Sequence, residues 1–272
     1  MREVFLNDDF RRFWKDREPF RSAFELTGES YRLVKSRHTF RVEMEGKGYF
    51  VKLHRGIGWR EYFKNLLQLK APVTDAGQEY RALLHLKEHG VDSMTPAAYG
   101  CCGRIAFERT SFLITEELAD CISLEDFCRE WAVRPPPFAV KRALIGKLGI
   151  MTGKMHRSGL NHRDCYICHF LLRKGTENSA DPELHVIDLH RAQIRKKVPW
   201  HYWVKDVAGL WFSSLDAGLT RHDLLYFLRA YFQEDLRVIL QRYGKFLKAA
   251  DAAARKLYRK DRHKSPSAGE IF

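Results

Sequence analysis

His162-Arg163-Asp164-Cys165-Tyr166-Ile167-Cys168-His169 and, further on, His185-Val186-Ile187-Asp188-Leu189-His190 decide how this chain reads. The first stretch puts a carboxylate in a loop ahead of the apolar run Phe170-Leu171-Leu172. The second ends another apolar run, Leu184 to Ile187, on a second carboxylate. Lys174 to Glu183 between them is polar turn material, so the runs form a hairpin with Asp164 and Asp188 at the ends of neighbouring strands. Phosphoryl transfer asks for such a pair: one carboxylate at the acceptor hydroxyl, the other on a Mg²⁺ ion that bridges the phosphates. Strand ends hold both positions without using the substrate as scaffold.

An H-R-D tripeptide is a weak signal by itself, and its weight comes from the parts that stand around it in order. Upstream, Ser30 to Val34, Thr39 to Met44 and Gly48 to Leu53 alternate or are rich in β-branched and aromatic residues, and Glu45-Gly46-Lys47-Gly48 reads as a hairpin turn. Lys52 ends the third strand, where a phosphate-binding lysine is expected. Helical spacing follows over Trp59 to Leu69, breaks at Pro72, and resumes more strongly from Ala76 to His89, ending at Gly90. Glu79 on that second helix is the expected partner of Lys52; Glu61 on the first is the competing choice. Ser111 to Thr115 is a strand, and Thr115-Glu116-Glu117-Leu118 after it has the place of a hinge, with Glu116 and Leu118 at the nucleotide. The rest is mostly helical: Leu124 to Trp131, Val140 to Ser158, Lys205 to Leu215, and one or two helices over Arg221 to Tyr243. Asp206 is expected to anchor the backbone of the catalytic loop. Residues 1 to 23 read as an irregular arm or short helix, and Lys256 to Phe272 as a frayed tail.

Strands first and helices after predict an α+β, bilobal fold with a small antiparallel β-rich N-lobe and a larger helical C-lobe, and the order of the motifs makes it protein-kinase-like. The expected boundaries are 1–118 for the N-lobe, 119–244 for the C-lobe and 245–272 for a basic C-terminal helix and tail. With 45% hydrophobic and 13% aromatic residues the chain is globular. Its 47 Lys and Arg against 34 Asp and Glu leave a net charge of +13, a field that calls for an anionic partner. The 6 cysteines show no secreted disulfide pattern, the N-terminal sequence lacks an apolar signal core, and no apolar run is long enough to span a bilayer. A cytosolic protein with reduced thiols is expected. No helix-turn-helix, zinc-finger or RNA-binding motif is present, so nucleic acid is not an expected partner.

With those residues in place, His162 to Leu172, Val186 to Arg195 and Ile114-Thr115-Glu116-Glu117-Leu118 resemble the corresponding segments of the lipopolysaccharide core heptose(I) kinases. The resemblance runs from about residue 24 to residue 235. It implies transfer of the ATP γ-phosphate to the first heptose of the lipopolysaccharide inner core, with the enzyme peripheral on the cytoplasmic face of the inner membrane. It also implies Asp164 as catalytic base, assisted by Arg163, Lys52 as phosphate clamp oriented by Glu79, and Asp188 as the Mg²⁺ ligand. The oligomeric state stays open.

Two features depart from ordinary protein kinases. The loop Lys35-Ser36-Arg37-His38 carries no glycine, so phosphate contacts there fall to backbone N–H groups or to Arg37 and His38. His169 stands where an asparagine ligand to the second metal is usual; imidazole is a poor ligand for a hard cation, and weak metal ligation or bracing of the site is expected of it. Cys165 and Cys168 with His162 and His169 have a zinc-like composition, but four ligands within so short a segment leave little freedom for a tetrahedron, and packed thiols are expected. Arg195-Lys196-Lys197 and Trp200 to Trp203 form a cationic, aromatic segment suited to holding an anionic acceptor. The basic segments Trp59 to Lys70 and Lys245 to Lys264 are solvated faces or membrane-surface contacts. The alternatives to a sugar kinase are a protein (tyrosine) kinase and a non-catalytic kinase-like binding module; intact Lys52, Asp164 and Asp188 speak against the latter.

Overall fold

The computed structural model describes residues 2–34, 37–56, 75–105 and 108–264. Two compact units divide it: one of residues 1–87, 93–119 and 188–191, the other of residues 88–92, 120–187 and 192–272. The expected helix Trp59 to Leu69, with Glu61, lies outside the described residues, as do Lys35, Ser36 and the last eight residues of the tail.

The first unit is built on a six-stranded antiparallel sheet. Its strands are β1 (Arg2–Leu6), β2 (Glu29–Val34), β3 (Arg37–Met44), β4 (Lys47–His54), β5 (Pro96–Cys102) and β6 (Thr110–Glu116), in the order β1-β5-β6-β4-β3-β2. Helices α1 (Asp8–Phe13), α2 (Pro19–Glu25) and α3 (Gly77–Glu88) complete it. The β3–β4 hairpin turns on Glu45 and Gly46, both at positive φ (50° and 74°), the sign pattern whose twist suits a two-residue hairpin. Along β4 the buried Tyr49, Val51 and Leu53 alternate with Phe50 and Lys52, so strand period alone turns Lys52 away from the core.

Two parts of this unit differ from the sequence expectation. The N-terminus is not an irregular arm: β1 pairs with β5 from Arg2↔Cys102 to Leu6↔Ala98, and Asn7 caps α1 by accepting the Phe10 N–H at 2.9 Å. Phe10 then sits at the centre of the core, edge-on to Trp14 and Tyr49. Strand β5 itself was not expected, because Ala97, Ala98 and Gly100 have weak strand propensity; its burial between β1 and β6 overrides that preference.

The second unit is mainly helical. Its helices are α4 (Leu124–Cys128), α5 (Phe138–Arg157), α6 (Trp200–Ser213), α7 (Arg221–Phe232) and α8 (Leu236–Lys264). Short strands β7 (Cys121–Ser123), β9 (Phe170–Arg173) and β10 (Leu184–Val186) form one sheet, and β8 (Leu160–Asn161) pairs with β11 (Gln193–Ile194). The hairpin expected between Asp164 and Asp188 is β9–β10, with Leu172 opposite Leu184. Ser123 caps α4, and Thr220 with Asp223 forms a capping box on α7. Helix α5 packs on α7 through Gly153, where a Cβ would meet the Tyr231 carbonyl at 2.2 Å. Three boundaries differ from expectation. Helix α4 stops at Cys128. Helix α6 begins at Trp200, so the aromatic part of the 195–203 segment is helical; Pro199 opens that helix and Trp203 stacks on Phe246 at 4.0 Å. Helix α8 runs unbroken through residue 245 to Lys264, because Ile239, Phe246, Ala250 and Ala254 give it a continuous buried stripe.

Candidate active site

In the first unit the Lys52 ammonium meets the Glu79 carboxylate at 2.6 Å. Glu79 is 1% exposed, and its Oε2 has no hydrogen-bond partner among the described residues, so Lys52 is the group that compensates its charge. The start of α3 is fixed from several sides. Asp75 accepts from Arg109 at 2.8 Å and from the Gly77 N–H at 2.9 Å, while the Ala76 N–H donates to Ser111 Oγ at 2.9 Å. That bracing sets Glu79, in the first turn of α3, against the strand that carries Lys52.

At the end of β6, the Glu116 N–H donates to the Thr95 carbonyl and the Glu117 N–H to the Gly48 carbonyl, each at 2.9 Å. The Glu117 carboxylate is held by Arg41, whose Nε lies 2.9 Å from both oxygens. Glu116 and Glu117 are thus pinned through their backbone N–H groups, and Leu118 next to them is half-buried. At the other end of β4 lies His54, 5% exposed. Burial first, then the positive charges of Arg37 and Lys52, push its pKa down to about 4. His38, next to Arg37, bonds Ser30 Oγ at 3.1 Å.

Asp188 and His190 pack with this unit. His190 Nδ1–H donates to Asp188 Oδ1 at 2.6 Å, and Asp188 holds φ at 59°, the left-handed region that non-glycine residues rarely enter. Local strain of this kind persists only where neighbours over-determine it, and it gathers at functional sites. Carboxylate oxygen is the donor a hard divalent cation prefers, so Asp188 suits Mg²⁺ and the Lys52 ammonium suits phosphate.

In the second unit the loop around Asp164 is tied down by Asp206, on the second turn of α6 and 1% exposed. Its carboxylate accepts the backbone N–H of His162 at 2.6 Å and of Arg163 at 2.8 Å. Arg163 is the strained residue here, at φ 73°, with its guanidinium over the Tyr202 ring. The anchoring expected of Asp206 is what the structure contains. Further members were not foreseen: His156 bonds Asp206 Oδ2 at 3.3 Å and the Tyr231 hydroxyl at 2.6 Å, and Trp203 Nε1–H donates to that same hydroxyl. A polar histidine within the apolar face of α5 was the available signal.

His162 and His169 knit the loop to the strand that leads to Asp188. His162 Nε2–H donates to the Ile187 carbonyl at 2.9 Å, the Ile187 N–H donates to the His169 carbonyl at 2.9 Å, and His169 Nδ1–H donates to the Asp164 carbonyl at 2.7 Å. Their rings lie parallel, 5.5 Å apart. A neutral imidazole that donates from Nδ1 carries its lone pair on Nε2. The zinc alternative has no cluster behind it: Cys165, Cys168, His162 and His169 form no group of converging ligands among the described residues. Cys165 is buried, and burial raises its thiol pKa well above the usual range, so it packs as a protonated side chain. Arg195 is committed within the fold, donating to Asn161 at 2.8 Å and Gln193 at 2.7 Å and covering Tyr202, whereas Lys196 and Lys197 are exposed.

A model of the lipopolysaccharide kinase (Kdo/WaaP) family matches residues 22–231. The chain belongs to that family. It is 50% identical over 262 residues to a lipopolysaccharide core heptose(I) kinase of Pseudomonas aeruginosa, with 96% of this chain and 98% of the relative covered. Identity to a lipopolysaccharide core heptose(I) kinase of Escherichia coli is 44%, over 96% of this chain and 99% of the relative. A solved structure of WaaP in complex with acyl carrier protein superposes at a TM-score of 0.82, at 46% identity, over 94% of this chain and 99% of that one. The fold is thus the α+β, kinase-like fold of this family. No helix among the described residues is long and apolar enough to cross a membrane.

Proposed function

We propose that this chain is an ATP-dependent kinase that phosphorylates the first heptose of the lipopolysaccharide inner core, an alcohol-group phosphotransferase. The observation that carries this function is the match, over nearly the whole length, to heptose(I) kinases at 44–50% identity. The catalytic loop held by Asp206 agrees with it.

In this mechanism Asp164 accepts the proton of the heptose hydroxyl as its oxygen attacks the γ-phosphorus and the bond to the departing ADP oxygen breaks, and Arg163 beside it belongs to the same catalytic loop. The Asp206 anchor and the His169 bond to the Asp164 carbonyl fix the backbone from which that carboxylate projects. Lys52, oriented by Glu79, places its charge on the ATP phosphates. Glu116, the last residue of β6, and Leu118 just beyond it hold the base. Asp188, oriented by His190, would hold Mg²⁺, with His169 as a weaker nitrogen ligand or a brace. Bound Mg²⁺ would neutralise charge that builds on the phosphates. The enzyme works at the cytoplasmic face of the inner membrane, where a lipid-anchored acceptor and ATP meet. We infer an acyl carrier protein as a further partner, since the relative at 46% identity was solved in complex with one.

ATP turnover with purified core oligosaccharide, beside a protein substrate and beside DNA, tests the assignment. Turnover that depends on the heptose-bearing sugar is expected; turnover that depends on the protein substrate would make the chain a protein kinase.

A further inference from the structure

Helix α8 presents a face that the proposed chemistry does not use. Its buried stripe of Ile239, Phe246, Ala250 and Ala254 is spent on packing within the second unit. On the opposite side Arg237, Lys245, Lys248, Lys256 and Arg259 are exposed, with Lys260 exposed on the flank. At about 1.5 Å per residue these cations run over about 35 Å of helix. Acidic residues do not interrupt them. Asp251 turns toward Trp211, whose Nε1–H donates to it at 3.1 Å, and bonds Arg255 at 2.9 Å. Asp261 falls on the line of Ala254, two turns on, away from the cationic face. Val238 and Leu240, 37% and 52% exposed, add apolar surface at the start of the helix.

From this we infer that the outer face of α8 is the surface by which the protein lies on an anionic phospholipid bilayer. The inference rests on the proposed function to the extent that a lipid-anchored acceptor brings the enzyme to a membrane. Charge complementarity selects the partner: a broad cationic helix face matches a plane of phosphate headgroups. Insertion of an amphipathic helix is a different mode and does not apply, because the apolar stripe of α8 is already buried in the protein. Nucleic acid fits less well, since no aromatic side chain is exposed among these cations for bases to stack on. Binding is therefore electrostatic, reversible and sensitive to salt.

The test is co-sedimentation with vesicles of phosphatidylethanolamine and phosphatidylglycerol at 7:3, beside pure phosphatidylcholine vesicles, with no lipopolysaccharide in either. The full chain should bind the anionic vesicles only and release as salt is raised. A variant with Arg237, Lys245, Lys256 and Lys260 all changed to Gln removes four cations and keeps good helix formers. Each cation near such a surface contributes on the order of fivefold in partitioning, so the variant should lose roughly several hundredfold. It should still phosphorylate a delipidated, soluble core oligosaccharide at the wild-type rate, which shows that it is folded. Equal vesicle binding by variant and wild type, no binding by the wild type, or retention on DNA in place of vesicles would each overturn the inference. Vesicle binding without sugar phosphorylation would overturn the proposed function and leave the surface standing.

Discussion

Changing Asp206 to Asn tests how the catalytic loop is held. The carboxylate accepts two backbone N–H groups, from His162 at 2.6 Å and from Arg163 at 2.8 Å, in a site with almost no solvent access. Asparagine keeps one acceptor oxygen and turns an NH₂ toward the other donor, so one buried N–H is orphaned and meets a like dipole. A lost hydrogen bond to a charged group costs about 1.5–3 kcal/mol. The strained Arg163 backbone adds to the demand on that anchor, since a left-handed non-glycine residue stores about 1–3 kcal/mol that its contacts must offset. A loss of about 2–3 kcal/mol is expected, which lowers the melting temperature by roughly 5 °C or more in a chain of this size. The kinetic effect should be larger, because misplacing a reacting group by about 1 Å costs on the order of a hundredfold. Steady-state assays at saturating acceptor should show kcat down about a hundredfold, with KM for ATP within a few-fold, since Lys52 and Glu79 are untouched. A variant that melts lower but keeps kcat would refute the positioning role of Asp206, and so would a loss confined to the KM for ATP.

The remaining expectations concern the nucleotide side, pH and the metal. Lys52→Met should lower kcat/KM by about 10²–10³ and destabilise the protein by about 3 kcal/mol, because Glu79 is left buried and uncompensated; adding Glu79→Gln to it should restore stability but not activity, as melting curves beside kinetics will show. Glu79→Gln alone should reduce kcat/KM by about tenfold, a defect of the same kind but smaller. His54 stays neutral in the fold down to about pH 4, whereas the unfolded chain protonates it from pH 6.5. Acidification from pH 7 to 4.5 should therefore remove about 2–3 kcal/mol that His54→Gln does not lose, and denaturant midpoints of both proteins at the two pH values read the difference. His169→Asn should stay substantially active and shift preference from Mn²⁺ toward Mg²⁺, while His169→Ala should lose activity in either metal; an alanine variant as active as wild type removes His169 from the metal site.

What was legible in the sequence was what local pattern encodes. The β3–β4 hairpin, the lysine at the end of β4, helix α3 with Glu79, and the β9–β10 hairpin behind Asp164 all follow from period, turn residues and motif order. Pairings between segments distant in the chain were not legible. Strand β1 exists because β5 offers it an edge, and β5 exists although its Ala and Gly residues argue against a strand. The length of α8 followed from burial that the Ser/Pro-rich end obscured. Within the site, Asp206 was expected because motif order places it. The chain of bonds behind it, His156 to Tyr231 to Trp203, was not, because three different helices contribute these residues and only packing brings the side chains together. Charge marks Arg195 as a candidate for acceptor binding, and its bonds to Asn161 and Gln193 were a part of its environment that the sequence does not show.

The most direct measurement is transfer of labelled γ-phosphate from ATP to a heptose-bearing core acceptor by wild-type protein and by Asp164→Asn in parallel. Asparagine keeps the shape of the side chain but accepts no proton from the hydroxyl. The expected result is label on the first heptose with the wild type, and a loss of on the order of 10²–10⁴ with the variant at unchanged ATP binding and melting temperature. Transfer by Asp164→Asn within a few-fold of wild type, or wild-type label appearing on protein and not on the sugar, would contradict the account.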